Sequence, residues 1–539
     1  MLKSIFLFFF TSVILFALLA CEDTKKTSSL ACIDPVPDYR SKAWYLEDGT
    51  NSVDASVLLS KANGTNVNIA LVTDGMDARH CALKDQYDKV NSYNFYTKMA
   101  NPQLADEYIV RGTAMAGLLV SGFTNKGIQA LAPKAKLWVM ALKQNITAEN
   151  IAQAAYPSGL SNATGDAQFN ISINSWYDSP KDKSFIIPAS STTANEEAKD
   201  WAKNVDRGIG LQNSGKVPKG ISYLWFAGDG GDSPQFRDSN LNGYANFYGV
   251  MAICAMGGDV KANFSETGSN LFLCAPSFDK AIYTTDVLGS EGLNGDYTNN
   301  DFTDRFGDKK YRGDIPTAIA GGVLGLLQSY AKAKASSSTT GWEVPNWWKW
   351  RIILAESAKK VDASDSSWVL TRPTYSDPNV KFHHSEKYGF GLISAAKAMQ
   401  VVDSNAWDAN GPTGTATYKI GPAASNLMRD STGAYSEIQF SSGLSFLLFT
   451  EVFVSANMSN VSLTLVSPAG IESHLIPQDS ANGVQFVSNT KIRLGSVRDF
   501  GSTTGGNYET GKWRLYLKPT NPSDATPDFK EWSLRLVGY

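Results

Sequence analysis

Between residues 65 and 405 short, almost purely apolar runs alternate with amphipathic stretches. Val67–Val72, Leu137–Ala141, Ile171–Ile173, Ile221–Phe226, Val250–Ala255 and Asn270–Cys274 carry apolar residues on both sides of the strand period. Strands of that kind are covered on both faces. Gly112–Val120, Ala148–Ala155, Ala194–Asn204 and Pro316–Lys334 are the helix candidates between and after them. Strand–helix alternation implies an α/β fold, a parallel sheet with helices on both faces, whose working loops gather at the carboxyl ends of the strands. Beyond residue 405 the pattern changes to short strands only: Leu447–Val454, Val461–Val466, Lys491–Val497, Lys512–Leu517 and Trp532–Val537. Pro468-Ala-Gly470 and Thr504-Gly-Gly506 are turn signals between them, so this part reads as an all-β sandwich.

The amino terminus has its own logic. Lys3 precedes an apolar run, Ile5 to Ala20, interrupted only by Thr11 and Ser12. It is short for a membrane span and the right length for a secretory signal. Its end, Leu18-Leu19-Ala20-Cys21, looks like a bacterial lipoprotein signal, with the Cys21 thiol as the lipid acceptor. The organisation expected is a signal at 1–20, a polar tether at 21–40, an α/β domain at 41–405, a linker at 406–417 and a β domain at 418–539. The anchor at Cys21 implies a bilayer as one partner and the cell envelope as the location, the outer membrane or cell surface rather than the inner membrane. A net charge of −3 gives no global basic field for nucleic acid. Five cysteines are too few for a disulfide scaffold. Cys254 and Cys274 sit on consecutive strands, as buried free thiols or a disulfide, and Cys32 could pair with Cys81 in an exported protein.

Six segments in fixed order carry a resemblance. They are Trp44-Tyr-Leu46, Ile69-Ala-Leu-Val-Thr-Asp-Gly-Met-Asp77, Arg111-Gly-Thr-Ala-Met-Ala-Gly117, Trp225-Phe-Ala-Gly-Asp-Gly-Gly231, Tyr311-Arg-Gly-Asp-Ile-Pro-Thr-Ala-Ile-Ala-Gly-Gly322 and Tyr388-Gly-Phe-Gly-Leu-Ile393. Together they resemble the subtilisin superfamily, and more closely its kexin/furin-like branch. The β module, with Leu463-Thr-Leu-Val-Ser-Pro-Ala-Gly470, Trp513-Arg-Leu515 and Trp532-Ser-Leu-Arg-Leu536, is similar to the jelly-roll-like P (Homo B) domain of that branch. The resemblance implies a serine endopeptidase and makes Trp44–Leu46 an entry strand.

Peptide hydrolysis of this type needs a serine nucleophile, a histidine base, an aspartate that orients it and an amide donor for the oxyanion. Carried over by position, the aspartate seat is Thr73, the histidine seat Arg111, the serine seat Asp314 and the oxyanion-asparagine seat Asp229. Thr73 has no charge to hold an imidazolium. Arg111 stays protonated and cannot act as a base near neutrality. Asp314 lacks a hydroxyl, and an ionised Asp229 offers no donor. Arg111 and Asp314 are instead expected to pair across the former cleft. Asp74 is expected to point away from Thr73, since successive strand side chains alternate. None of His80, His383, His384 and His474 falls in a triad position.

Calcium is possible, none being required: Glu266 matches a family ligand, with Asp232 and Asp238 as partners, while Ala82 replaces another. The segment Tyr177-Asp-Ser-Pro-Lys-Asp-Lys183 and Asn242 do not make an acidic pocket selective for basic residues. The reading is a lipid-anchored, inactive pseudoprotease acting with an unknown protein partner in binding or assembly. The alternatives are an active serine endopeptidase, or a protein- or carbohydrate-binding surface module working through the β domain.

Overall fold

The computed structural model describes residues 32–539 except 100–109, 143–146, 158–168, 177–195, 211–219, 234–237, 278–279, 290–291, 295–300, 308–310, 406–416, 441–443, 479–484, 487–490, 504–510 and 522–527. Cys21, the signal, most of the linker and the 177–183 segment lie outside the described residues.

Eight strands form the central sheet: β1 Asn68–Thr73, β2 Tyr93–Asn94, β3 Lys136–Ala141, β4 Ile171–Asn174, β5 Ser222–Phe226, β6 Val250–Gly257, β7 Val260–Lys261 and β8 Leu271–Pro276. The order is β2-β3-β1-β4-β5-β6, with β8 parallel to β6 and only β7 antiparallel. From β1 the chain moves outward on one side to β2 and β3, then crosses to β4 on the other. A crevice therefore opens at the carboxyl ends of β1 and β4, the place where such sheets bind ligands. Among the described residues the helices of eight residues or more are α1 Val110–Val120, α2 Ala148–Ala155, α3 Glu196–Ile209, α4 Asp314–Ser337, α5 Trp347–Ser357 and α6 Ala395–Ser404.

The expected strands of the parallel sheet lie within a residue or two of those observed, whereas in the β part Leu447–Val454 runs on to Ser459 and Trp532–Val537 begins at Asp528. Helix α4 begins at Asp314, two residues earlier than Pro316 suggested, because a proline within the first turn removes an N–H that has no intrahelical partner there. Helix α5 escaped the reading because Trp347, Trp348, Trp350, Ile352 and Ile353 are all buried, leaving no polar face for a period to show. Trp44–Leu46 is a single turn of 3₁₀-helix, not a strand.

Both cysteine pairs are disulfides. Cys254 and Cys274 face each other in register on β6 and β8, Cα atoms 4.3 Å apart, so the free-thiol alternative is corrected. Cys32 is bonded to Cys81, and the Ile33 amide donates to Asp301 at 2.8 Å. The last part of the expected tether is thus packed on the body.

The C-terminal part holds two antiparallel sheets. Phe446–Ser459 pairs with Asp528–Gly538, Lys491–Ser496, Gln485–Phe486 and Gly501–Ser502, and Thr417–Ile420 extends this sheet at Asp528–Gly538. The other runs Met428–Arg429, Ala434–Phe440, Gly511–Pro519, Val461–Val466 and Glu472–Ile476. Trp513 and Trp532 are fully buried in a core of their own. Phe446, Phe449, Phe500 and Val537 instead join the core of the α/β part, against Phe272, Phe382 and Phe390. Backbone and side chains are stitched across this seam: Gly495 donates to Asn240 at 2.8 Å and Val497 to the Ser269 carbonyl at 2.9 Å. Arg372 pairs with Asp499 at 3.1 Å, both completely enclosed. Glu386 takes Arg498 at 3.2 Å and His474 at 2.9 Å.

Candidate active-site cleft

Thr73 closes β1 and is buried. Helix α1 approaches it closely because residue 112 is glycine: a Cβ there would sit 1.8 Å from the Gly75 carbonyl oxygen and 2.8 Å from the Thr73 methyl. That approach sets Arg111, in the first turn of α1, over the end of β1. Asp314 opens α4, where a carboxylate is favoured by the N–H groups of the first turn. The two triad seats meet as expected: Arg111 Nε lies 3.1 Å from Asp314 Oδ2. Arg111 keeps a quarter of its side chain open, whereas Asp314 is buried. The Arg111 N–H is not aimed along the line to the carboxylate, so the pair is a charge contact rather than an aligned hydrogen bond. The guanidinium also lies over the Tyr311 ring, 5.8 Å from its centre.

Burial pushes the Asp314 carboxyl up to about 6, against the pull of Arg111 and a hydrogen bond with Ser175. The charges of Asp74 and Asp229 push it further. Ser175 is buried beside the Met115 sulfur and presents no hydroxyl to a substrate.

Asp74 is where the sequence reading failed. It does not turn away from Thr73: the Thr73 hydroxyl donates to its Oδ1 at 3.0 Å, the Gly112 amide donates to its carboxylate, and it feels the charge of Arg111. Burial holds its carboxyl above the ordinary range. The strand period ends at Thr73, and Gly75 at φ 134° bends the chain, so alternation no longer governs residue 74. The adjoining Gly75 was the signal that could have shown it. Tyr311 and Ser175 were not singled out either, having no role of their own in the chemistry considered.

Asp229, which the motif resemblance matches to the oxyanion-asparagine position, precedes a single 3₁₀ turn, Gly230–Asp232. Its carbonyl accepts from Arg312 at 3.4 Å, and Arg312 also pairs with Asp232 at 3.2 Å. The loop folds over Glu266: Gly228 is at φ 128°, where a Cβ would strike the Glu266 carboxyl at 2.2 Å. Glu266 accepts the Gly230 amide at 3.1 Å, and burial pushes it up to about 8, so it is a neutral acid near neutrality. Asp238 is buried and caps the turn at Asn240 with a 2.8 Å bond. The three acids named for calcium thus have separate duties, and among the described residues no three Asp, Glu, His or Cys side chains gather around a common centre. They do not fit a cation site.

All four histidines sit elsewhere. His80 is buried between the Asp301 carbonyl and the Ala82 amide, and burial lowers its pKa. His383 lies against Trp368. His384 bonds the Leu271 carbonyl, and burial takes its pKa down to about 3. His474 belongs to the β part. Among the described residues the cleft brings the Arg111 guanidinium together with the carboxyls of Asp74, Asp229 and Asp314, and none of the four imidazoles lies there.

The model of the subtilase family (Peptidase_S8) matches residues 64–381. The chain belongs to the subtilase family. Its relatives place it in the kexin-like branch. It is 23% identical over 565 residues to the extracellular serine protease of Aeromonas sobria, covering 92% of this chain and 86% of that protein. It is 23% identical over 493 residues to the protease KEX1 of Kluyveromyces lactis, covering 88% of this chain and 56% of that one. The crystal structure of the Aeromonas sobria serine protease with its chaperone superposes with a TM-score of 0.70 at 20% identity, over 94% of this subtilase and 96% of that chain. That likeness shows the fold, including the β sheets that follow the parallel one.

Proposed function

We propose that this subtilase is an exported, lipid-anchored pseudoprotease that binds or assembles with a protein partner. One observation carries the reading: the seats of base and nucleophile hold Arg111 and Asp314 in contact at 3.1 Å, with all four histidines outside the cleft. A guanidinium cannot accept the serine proton, and no serine stands in its place. Two disulfides suit an oxidising compartment, which supports export. The Aeromonas relative is solved with a chaperone, which makes a protein partner a natural expectation here. Family membership favours serine-type proteolysis as the second reading, since the relatives above are proteases.

The two readings part on a fluorophosphonate probe and a peptide-hydrolysis assay with the full chain. No labelled serine and no turnover are expected. A labelled serine in the cleft overturns the inactive reading.

A further inference from the structure

The segment that follows Cys32 crosses the body and builds a face of distinctive composition. Tyr39 donates to the Gly127 carbonyl and Gly127 to the Pro37 carbonyl, each at 2.6 Å, joining the segment to the loop at 123–127. The Trp44 indole donates to the Ala281 carbonyl at 3.1 Å, joining it to the loop at 280–285. The Tyr39 and Tyr283 rings stack at 4.8 Å. Lys280 lies over the Trp44 ring at 5.5 Å and Lys126 over Phe123 at 5.0 Å. Tyr39, Trp44, Phe123 and Tyr283 are all half-buried, with part of each ring at the surface. Among the described residues Lys42, Lys280 and Arg305 add exposed charge, beside the acids Asp34, Asp38, which is engaged by Arg40, and Asp304, which bonds the Tyr283 hydroxyl, while Glu47 and Asp48 follow Trp44 in the chain.

Half-exposed Trp and Tyr rings interleaved with lysines are what a bilayer interface favours: the ring settles at headgroup level and the ammonium meets anionic lipid. Chain length points to the same place. Eleven peptide steps separate Cys21 from Cys32, at most roughly 40 Å when fully extended. A body of this size is roughly 60 Å across. The disulfide to Cys81 fixes where that leash leaves the body. A leash shorter than the body cannot carry the opposite side to the membrane.

We infer that the face formed by Tyr39, Trp44, Phe123 and Tyr283 with Lys126 and Lys280 rests on the lipid surface. This deepens the proposed function and depends on anchoring through Cys21. The same loop, through Thr285, bonds the Thr113 carbonyl of α1 at 2.6 Å, two residues past Arg111. The face is thereby tied to the helix that carries Arg111.

The test uses the full-length lipidated protein in vesicles of phosphatidylethanolamine and phosphatidylglycerol. A fluorophore is placed at Lys126→Cys or Lys280→Cys, and for comparison at Lys203→Cys on α3 or Lys518→Cys on the β part. Headgroup nitroxide lipid is expected to quench the first two at least twofold more than the others. Equal quenching at all four, with Cys21→Ser abolishing co-flotation, overturns the face while leaving the anchor intact. Co-flotation unaffected by Cys21→Ser, or absent in the parent, removes the anchor and this orientation together.

Discussion

The molecule contains two Arg–Asp pairs with the same 3.1 Å separation and opposite characters. Arg372–Asp499 lies in the seam between the α/β and β parts, sealed from solvent, with Arg372 Nη2 donating squarely to Asp499 Oδ1. Arg111–Asp314 lies in the cleft with the arginine partly open and its N–H off line. Breaking one side of a sealed pair strands a charge where nothing can solvate it. In the cleft, water reaches the arginine, and Asp314 has the easier exit of taking a proton. The seam pair fastens two parts of one fold, while the cleft pair sets at the carboxyl ends of the strands a charge that stays adjustable.

The largest expected effect concerns the seam as a whole. Removing 418–539 exposes Phe272, Phe382 and Phe390, which pack on Phe446 and Phe500. The truncated chain is expected to be insoluble or to lack a cooperative melt. A soluble fragment melting like the parent would break the claim that the two parts share a core. Next, Asp499→Ala is expected to lower stability by on the order of 3–5 kcal/mol in denaturant titrations. Replacing both partners with apolar residues of similar volume should recover most of that loss.

Third, Arg111→Met is expected to cost less, on the order of 1–2 kcal/mol, because Asp314 already titrates near neutrality and protonates when the arginine is gone. A loss as large as that of Asp499→Ala would erase the contrast between the pairs.

The smallest effect sharpens it most. Asp314 has a folded pKa above its ordinary value, so its contribution favours the fold at low pH and is lost as pH rises from about 4 to about 6. Relative to Asp314→Asn, the parent should therefore gain stability on acidification through that window. Within the seam, Asp499 is raised by burial and shares the sign of Asp314, whereas Glu386, lowered by His474 and Arg498 despite its burial, behaves oppositely: it contributes above its unfolded pKa and loses that contribution as pH falls. His474, raised by Glu386, contributes below its unfolded pKa and loses it as pH rises through the folded one. His474→Gln should flatten the alkaline side of the stability profile and leave the Asp314 window unchanged. A single variant that altered both windows would show the two regions to be coupled.

What the sequence disclosed follows from where the signal is local. The parallel strands were legible because residues such as Val72, Val139 and Ile173 are buried whichever face they take. The Arg111–Asp314 contact was legible because motif order fixed which loops meet at the carboxyl ends of the strands. The contact of Asp74 with Thr73 was missed because a strand rule was carried one residue past the strand. The disulfides stayed open because register decides whether Cys254 meets Cys274, and register is not written in either strand alone. The hairpin of Thr284–Thr285 with Phe302–Thr303 is two residues a side and leaves no period to detect.

The Cys32–Cys81 bond has a consequence for how such a protein could leave a surface. A protease cutting anywhere from residue 33 to residue 80 would open the backbone yet leave the two pieces covalently joined. If Cys21 carries the lipid, release needs a cut in the short stretch ahead of Cys32, or a reductant followed by a nick, so shedding without reduction is confined to the eleven peptide bonds between Cys21 and Cys32.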